Sequence, residues 1–203
     1  MRPLLPVVFL VRHGETAWSA TGQHTGRTDL PLNEQGEGQA RDLAASLTAL
    51  PIDRILSSPL QRARRTAELA MPDASIEMTD DLMEWDYGDY EGKRTVDIQA
   101  ERPGWRLFRD GCPGGETLQS VAARADRLIG SIRMRGDNVL LCAHRDLLRI
   151  LAVRWLGLPP VEGRGFLLAP ASLSALGYDH DVSEPAIRAW NIRDTSVAGA
   201  SGT

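Results

Sequence analysis

The chain has 203 residues, of which 42% are hydrophobic and 25% charged, and these values are ordinary for a soluble globular protein. Its formal net charge of −4 at pH 7 argues against nucleic acid as the main partner, so any anion site must be a local cluster of arginines. No apolar run approaches the roughly 20 residues that span a bilayer, and we therefore expect no membrane partner.

The N-terminal part of the chain predicts one strand, one long loop and one helix. Residues 7–11 are almost uniformly apolar, which is typical of a buried strand. Residues 14–32 contain three glycines and a proline and are expected to form a loop. Apolar residues then recur at the spacing of one buried helical face, which predicts a helix capped by Asn33 and ended by Pro51.

The next elements are shorter. A strand is predicted over 54–57 and a further short strand over 75–78. Between them, the Ser58-Pro59 pair predicts the start of a helix, with the serine as the N-cap and the proline at the first helical position.

The C-terminal half has the clearest periodicity. Residues 116–134 carry an apolar stripe at helical spacing and predict an amphipathic helix. A buried strand over 138–143 leads into an apolar helix that ends near Gly157. Two late strands are predicted over 172–178 and 185–192.

Strands that alternate with helices predict an α/β fold in three layers, with a mostly parallel central sheet flanked by helices. We expect a single domain over residues 1–195 and a disordered small, polar tail over 196–203. Ligands of such sheets bind at the carboxyl ends of the strands. His13 and His144 each follow a predicted buried strand directly, so the two imidazoles would face one pocket if those strands are neighbours.

The Arg12-His13 pair after the first strand suits phosphate chemistry. An arginine fork binds phosphate oxygens in a bidentate way, and a neutral imidazole is a nucleophile toward phosphorus. A second basic cluster begins where the 54–57 strand meets its helix, and there Arg62 would point at the same rim as His13. Arg64 and Arg65 are interpreted as a solvated basic face.

A third segment, residues 84–92, holds four carboxylates among three aromatic residues. Partial burial by aromatic side chains raises the pKa of a carboxyl group, which is the condition for a general acid. Taken alone, the segment would be interpreted more simply as an acidic surface loop. The other segments therefore decide which interpretation holds.

Together these segments resemble the histidine phosphatase superfamily, the phosphoglycerate-mutase-like enzymes, over about residues 7–192. Five motifs carry the resemblance in the order of the family: Arg12-His13-Gly14-Glu15-Thr16 with Trp18, Thr25-Gly26 with Asp29-Leu30-Pro31-Leu32, Gly36, Ser58-Pro59 with Arg62-Ala63, and Thr66-Ala67. The similarity is greatest to the sugar-bisphosphatase and broad-specificity acid-phosphatase members, with the sedoheptulose-bisphosphatase type as the most similar pattern.

The resemblance implies a phosphohistidine mechanism without a metal or other cofactor. It implies His13 as the nucleophile, Glu84 as the proton donor and His144 as a further catalytic group. Phosphate or substrate contacts are implied for Arg12, Arg62, Ser19, Gln23, Thr25 and Gly26. In this mechanism His13 attacks the phosphorus while Glu84 protonates the leaving oxygen, and a water activated by Glu84 then hydrolyses the phosphoenzyme.

Two observations qualify the resemblance. Family members usually have glycine after the second histidine, whereas Arg145 and Asp146 follow His144 here. The arginine either hinders the approach of phosphate, adds a phosphate contact, or pairs with Asp146 and points away. His24 and His180 match no catalytic position and are interpreted as surface residues.

The expected function is a phosphatase acting on small phosphorylated metabolites, such as sugar phosphates or bisphosphates. The alternatives are a cofactor-dependent phosphoglycerate mutase and a non-enzymatic binding relative. The interval between Glu84 and His144 is too short for the basic substrate-binding segments of the mutases. Cys112 and Cys142 have neither disulfide nor zinc spacing, which favours the cytoplasm, and a homodimer is left open.

Overall fold

The computed structural model describes residues 5–193, so the tail over 196–203 that was predicted to be disordered lies outside the described residues. Within the described part, one sheet has the strand order β3-β2-β4-β1-β5-β6. Its strands are β1 (Val8–Arg12), β2 (Arg54–Ser57), β3 (Ile76–Met78), β4 (Val139–Ala143), β5 (Leu173–Tyr178) and β6 (Pro185–Ile192). The first four strands pair in parallel, while β5 is antiparallel to both β1 and β6.

Helices cover both faces of this sheet. They are α1 (Ala17–Thr21), α2 (Glu34–Thr48), α3 (Gln61–Ala70), α4 (Thr95–Glu101), α5 (Leu107–Asp110), α6 (Leu118–Arg135) and α7 (Arg145–Trp155). Because side chains alternate across a strand, Phe9 and Val11 pack with α2 and α3, whereas Val8 and Leu10 pack with α6 and α7. The predicted three-layer α/β fold is therefore confirmed.

The predicted strands and long helices agree with the structure to within a few residues, and one predicted cap is wrong. Asn33 caps α2 as expected, since its side chain accepts a hydrogen bond from the Gly36 amide. Ser58, however, does not cap α3, which begins at Gln61 after an extended Leu60. The hydroxyl of Ser58 instead lies 2.8 Å from Nε2 of His144.

Strands β1 and β4 are direct neighbours, with Arg12 opposite Ala143 in the parallel register. The next residues, His13 and His144, therefore leave the same edge of the sheet side by side. The chain turns away from β1 at Gly14, where an added Cβ would lie 2.4 Å from the carbonyl oxygen of Gly36. This backbone contact needs glycine, and it places the start of α2 against the turn.

The loops hold more structure than the sequence predicted. Helix α1 lies within the loop over 14–32, and residues 79–115 contain two single-turn 3₁₀ helices besides α4 and α5. No helix among residues 5–193 is both long and apolar enough to cross a membrane.

Candidate active site

The rings of His13 and His144 lie at the carboxyl edge of β1 and β4 with their centroids 5.2 Å apart. Both side chains are buried. The His13 amide donates a hydrogen bond to the Ala143 carbonyl at 2.9 Å, which continues the β1–β4 pairing by one residue. The backbone of the sheet thus determines where the two imidazoles lie.

The hydrogen bonds of His13 identify its tautomer. Its Nδ1 lies 2.7 Å from the Gly14 carbonyl oxygen, and because a carbonyl only accepts, Nδ1 carries the proton. Burial, followed by the charges of Arg62 and Arg12, lowers the pKa of His13 well below its ordinary value. The ring is therefore neutral at pH 7, and its Nε2 keeps a lone pair.

His144 has the opposite tautomer. Nε of Arg62 lies 3.2 Å from Nδ1 of His144, and an arginine can only donate, so Nδ1 accepts and the proton lies on Nε2. That Nε2–H faces the Ser58 hydroxyl at 2.8 Å. Burial and the charge of Arg62 lower the pKa of His144 well below its ordinary value, which makes this ring a neutral hydrogen-bond donor.

Arg62 is fully buried, and it holds the loop over 25–28 as well as His144. Its terminal nitrogens donate to the carbonyl oxygens of Thr25, Gly26 and Thr28 at 2.8–3.1 Å. The carboxylate of Glu91 accepts from the amides of Gly26, Arg27 and Thr28 on the same stretch. Arg62 was predicted to contact phosphate, and in this structure its hydrogen bonds go to the protein.

Unlike Arg62, Arg12 has a side-chain donor that no protein group within residues 5–193 accepts. Its Nη1 donates to the Leu168 carbonyl at 2.6 Å, whereas its Nε is buried and has no partner among residues 5–193. Burial, with the charge of Arg145 adding to it, lowers the pKa of Arg12 to about 10. The guanidinium remains charged at pH 7, and an orphaned buried donor is stabilised by an anion.

Glu84 lines the same small cavity as Arg12 and His13. Its carboxylate accepts hydrogen bonds from the amides of Trp85 and Leu147, both at 2.9 Å, and from the amide of Asp146 at 3.1 Å. Burial and the charge of Asp146 nevertheless raise the pKa of Glu84 above its ordinary value. The interpretation of this segment as an acidic surface loop is wrong, because Glu84 and Trp85 are buried.

Asp146 is the buried centre of a network of which the sequence suggested one pair, that with Arg145. Its Oδ2 accepts from the Tyr87 hydroxyl at 2.6 Å, and its Oδ1 accepts from Arg149 at 2.6 Å and from Arg145 at 3.2 Å. Burial alone would raise the pKa of Asp146, but Arg145 and Arg149 hold it well below its usual range. Arg145 both pairs with Asp146 and lines the cavity.

The remaining predicted contacts are divided between the cavity and its surroundings. Ser19, Gln23 and Thr25 line the cavity, which measures about 80 Å³. Gly26 lies outside its wall, and its amide donates to Glu91 at 2.8 Å. The cavity thus has room for one phosphate-sized group.

One prediction about the histidines is wrong. His24, interpreted as a surface residue, is only 9% exposed and lines the cavity. Its ring packs against Tyr87 and Trp105, with centroid distances of 4.8 and 5.7 Å, and these residues are far from it in the sequence. His180 does lie on the surface, beside Glu184.

Comparison with known proteins identifies the same family that the sequence motifs resemble. Residues 8–193 match the model of the histidine phosphatase superfamily, branch 1. The chain is 38% identical over 184 residues to an acid phosphatase of Mycobacterium tuberculosis, covering 89% of this chain and 90% of that protein. It is 39% identical over 191 residues to the sedoheptulose 1,7-bisphosphatase of Saccharomyces cerevisiae, covering 78% of this chain and 70% of that protein.

Two further similarities complete the comparison. The "Probable phosphoglycerate mutase GpmB" of Salmonella choleraesuis is 35% identical over 181 residues, with 84% of each chain covered. The solved structure of an open reading frame of Mycobacterium tuberculosis superposes with a TM-score of 0.87 at 35% identity, covering 93% of this chain and 98% of that one.

Proposed function

The chain belongs to the histidine phosphatase superfamily, branch 1, and on that premise we propose that it is a phosphatase whose His13 attacks the phosphorus of small phosphorylated metabolites. One observation carries the proposal. His13 is held as a neutral imidazole with a lone pair on Nε2, in one cavity with the Arg12 guanidinium and the Glu84 carboxyl group. These are a nucleophile, a cation for the phosphate oxygens and a proton donor.

In the first step, the lone pair of His13 Nε2 forms a bond to phosphorus in line with the ester oxygen. The phosphorus–oxygen bond breaks, and its electron pair takes the proton of Glu84, so that an alcohol leaves. The Gly14 carbonyl, 2.7 Å from Nδ1, stabilises the positive charge that develops on the ring. Arg12 stabilises the negative charge on the phosphoryl oxygens.

In the second step, water attacks the phosphohistidine. Glu84, now a carboxylate, accepts a proton from the water while the phosphorus–nitrogen bond breaks and its electron pair returns to Nε2. Inorganic phosphate leaves, and both His13 and Glu84 regain their starting protonation states. Arginine and imidazole groups supply the charge stabilisation in both steps, so we propose no role for a metal or cofactor.

The phosphatase is favoured over the mutase that the sequence left as an alternative. A mutase must hold its product for a second transfer and keep water from the phosphoenzyme. The identities to the acid phosphatase and the bisphosphatase, 38% and 39%, exceed the 35% identity to the mutase relative.

Cys112 and Cys142 are both free thiols, which supports our proposal of a reducing, cytoplasmic environment.

The test is phosphate release from p-nitrophenyl phosphate by the wild type and by His13→Ala, with His180→Ala as a matched surface control. We expect His13→Ala to lose activity by a factor of about a thousand or more, because a nucleophile is removed outright. His180→Ala should match the wild type. Rapid quench in alkaline detergent with ³²P-labelled substrate should trap a phosphoenzyme that is stable in base and labile in acid, and only where His13 is present.

Full activity of His13→Ala would overturn the mechanism. The mutase alternative is tested separately, by incubation with 3-phosphoglycerate and independent measurement of 2-phosphoglycerate and free phosphate. Interconversion without phosphate release would replace the phosphatase by the mutase.

A further inference from the structure

A second cavity of about 360 Å³ adjoins the small phosphate cavity. The two share His24, Thr95 and Arg145 as wall residues. The small cavity measures only about 80 Å³, while small-molecule sites usually measure about 300–1,000 Å³. The second cavity, which we call the outer cavity, therefore offers room for the remaining atoms of a substrate whose phosphate lies against His13.

The outer cavity is positively charged, although the whole chain has a net charge of −4. No aspartate or glutamate lies among its wall residues in the described part of the chain, but five arginines do: Arg106, Arg109, Arg145, Arg149 and Arg164. Some of this charge is neutralised by three carboxylates that lie outside the wall: Asp146 pairs with Arg145 and Arg149, Asp110 with Arg109, and Glu162 with Arg164. The arginines still outnumber these carboxylates, so the outer cavity attracts anions locally.

Arg145 is the arginine that both cavities share. Only its Nε is engaged, at 3.2 Å from the buried Asp146, and neither terminal nitrogen bonds to any residue within 5–193. Its side chain is 49% exposed. Asp146 thus fixes the base of the guanidinium group while the donors of the fork face solvent, which is the arrangement that binds a phosphate or carboxylate in a bidentate way.

The outer cavity also has an apolar side. Trp105, Leu107 and Phe108 are buried residues that contribute to its wall, and they offer a surface for a short carbon skeleton. Arg106 lies exposed at the same wall, with one terminal nitrogen on the Trp105 carbonyl at 3.0 Å. A ligand that extends from the phosphate cavity would therefore meet Arg145 where the two cavities join, and further arginines and apolar side chains in the outer cavity.

We propose that Arg145 binds a second anionic group of the substrate, a phosphate or a carboxylate, and thereby selects phosphomonoesters that carry two anionic groups. The inference rests on the proposed phosphatase, because it takes the first anionic group to be the phosphate at His13. It assigns Arg145 as a specificity-determining residue and the outer cavity as the site of the second anion.

The experiment compares matched substrate pairs that differ in the second group. Fructose 1,6-bisphosphate against fructose 6-phosphate tests a second phosphate, and 3-phosphoglycerate against glycerol 3-phosphate tests a carboxylate. The measured quantity is the ratio of kcat/KM within each pair, which cancels any general effect of a substitution on catalysis. The chains are the wild type, Arg145→Gln, and Arg135→Gln, whose arginine is exposed at the end of α6.

We expect the wild type to prefer the doubly anionic member of at least one pair by about tenfold or more, since a charge-assisted hydrogen bond contributes about that factor or more to binding. In Arg145→Gln the ratio should fall toward one, mainly through a higher KM. Arg135→Gln should keep the wild-type ratio. The pair that responds identifies the anion as phosphate or carboxylate.

Failure of this inference can be told from failure of the proposed function. If p-nitrophenyl phosphate is hydrolysed through His13 but both ratios are near one, or do not change in Arg145→Gln, the second-anion site is overturned and the phosphatase stands. If no ester is hydrolysed, fructose 1,6-bisphosphate is titrated calorimetrically into the wild type and Arg145→Gln. A Kd that rises about tenfold in Arg145→Gln would support the site without the phosphatase, and an unchanged Kd would overturn the site as well.

Discussion

The phosphate cavity has one wall that comes from the sheet and another that comes from the loop over 84–87 together with the start of α7. The strand-end wall, Arg12 and His13, continues β1, and backbone hydrogen bonds to β4 hold it. The loop wall, Glu84, Tyr87 and Asp146, brings together residues about 60 positions apart through side-chain and helix-terminal hydrogen bonds. The nucleophile is therefore positioned by the backbone pairing of two strands, whereas the environment of the acid depends on side-chain contacts between distant segments.

Glu84→Gln tests the loop wall with the largest expected effect. The amide cannot supply the proton, so hydrolysis of glycerol 3-phosphate should slow by about a hundredfold to ten-thousandfold. Hydrolysis of p-nitrophenyl phosphate should slow far less, because p-nitrophenolate leaves without a proton. Single-turnover rates of the two esters measure the difference.

The matched control for this prediction is Glu101→Gln, a carboxylate that pairs with Lys93 on the surface, and it should leave both rates unchanged. Equal slowing of both esters by Glu84→Gln would contradict the role of proton donor. In that case the loop wall would serve only to shape the cavity.

Arg62→Met tests the support of His144 and of the loop over 25–28. The substitution removes the donors to His144 Nδ1 and to three backbone carbonyls while keeping an apolar stem. Because buried acceptors are left without partners, the free energy of unfolding should fall by about 3 kcal/mol or more. Urea denaturation measures this change.

Arg64→Met, on the exposed face of the same helix, is the control and should change the free energy of unfolding by less than about 0.5 kcal/mol. If Arg62→Met were as stable as this control, Arg62 would not be the support that its contacts indicate. The predicted contact between the Arg62 guanidinium and the substrate phosphate would then be the better interpretation of this residue.

The same contrast explains how much could be predicted from the sequence. Uniform apolar runs predict β1 and β4, and an apolar stripe at helical spacing predicts α6, because both patterns are local properties of the sequence. His13 and His144 then follow β1 and β4 directly. The resemblance supplied Glu84 as a candidate. The position of Arg12 and His13 at the end of β1 could therefore be predicted from the sequence.

The errors lie where distant residues decide. Ser58 has the chemistry of an N-cap, yet its hydroxyl lies against His144, 86 residues away. The rings of Tyr87 and Trp105 cover His24, and no local sequence pattern predicts this burial. The hydrogen bond from the Tyr87 hydroxyl to Asp146 also joins residues that are distant in the sequence, so no local pattern predicts it. These features follow from tertiary packing, which overrides local signals of capping and exposure.

Tyr87→Phe tests the loop wall with the smallest expected effect. The substitution removes only the hydroxyl that donates to Asp146 at 2.6 Å. Since a hydrogen bond to a buried charged group contributes about 1.5–3 kcal/mol, the free energy of unfolding at pH 7 should fall by that amount. Urea denaturation from pH 7 downward measures it.

The pH dependence of this loss has a definite sign. The Tyr87 hydroxyl helps to lower the pKa of Asp146 in the folded state, so it stabilises the fold only while Asp146 is ionised. The difference between the wild type and Tyr87→Phe should be constant near neutral pH and shrink as the pH falls below the ordinary carboxyl value of about 3.9. A difference that stayed constant into acid would mean that the hydroxyl acts by packing alone, and the loop wall would then depend less on the charge of Asp146 than its contacts indicate.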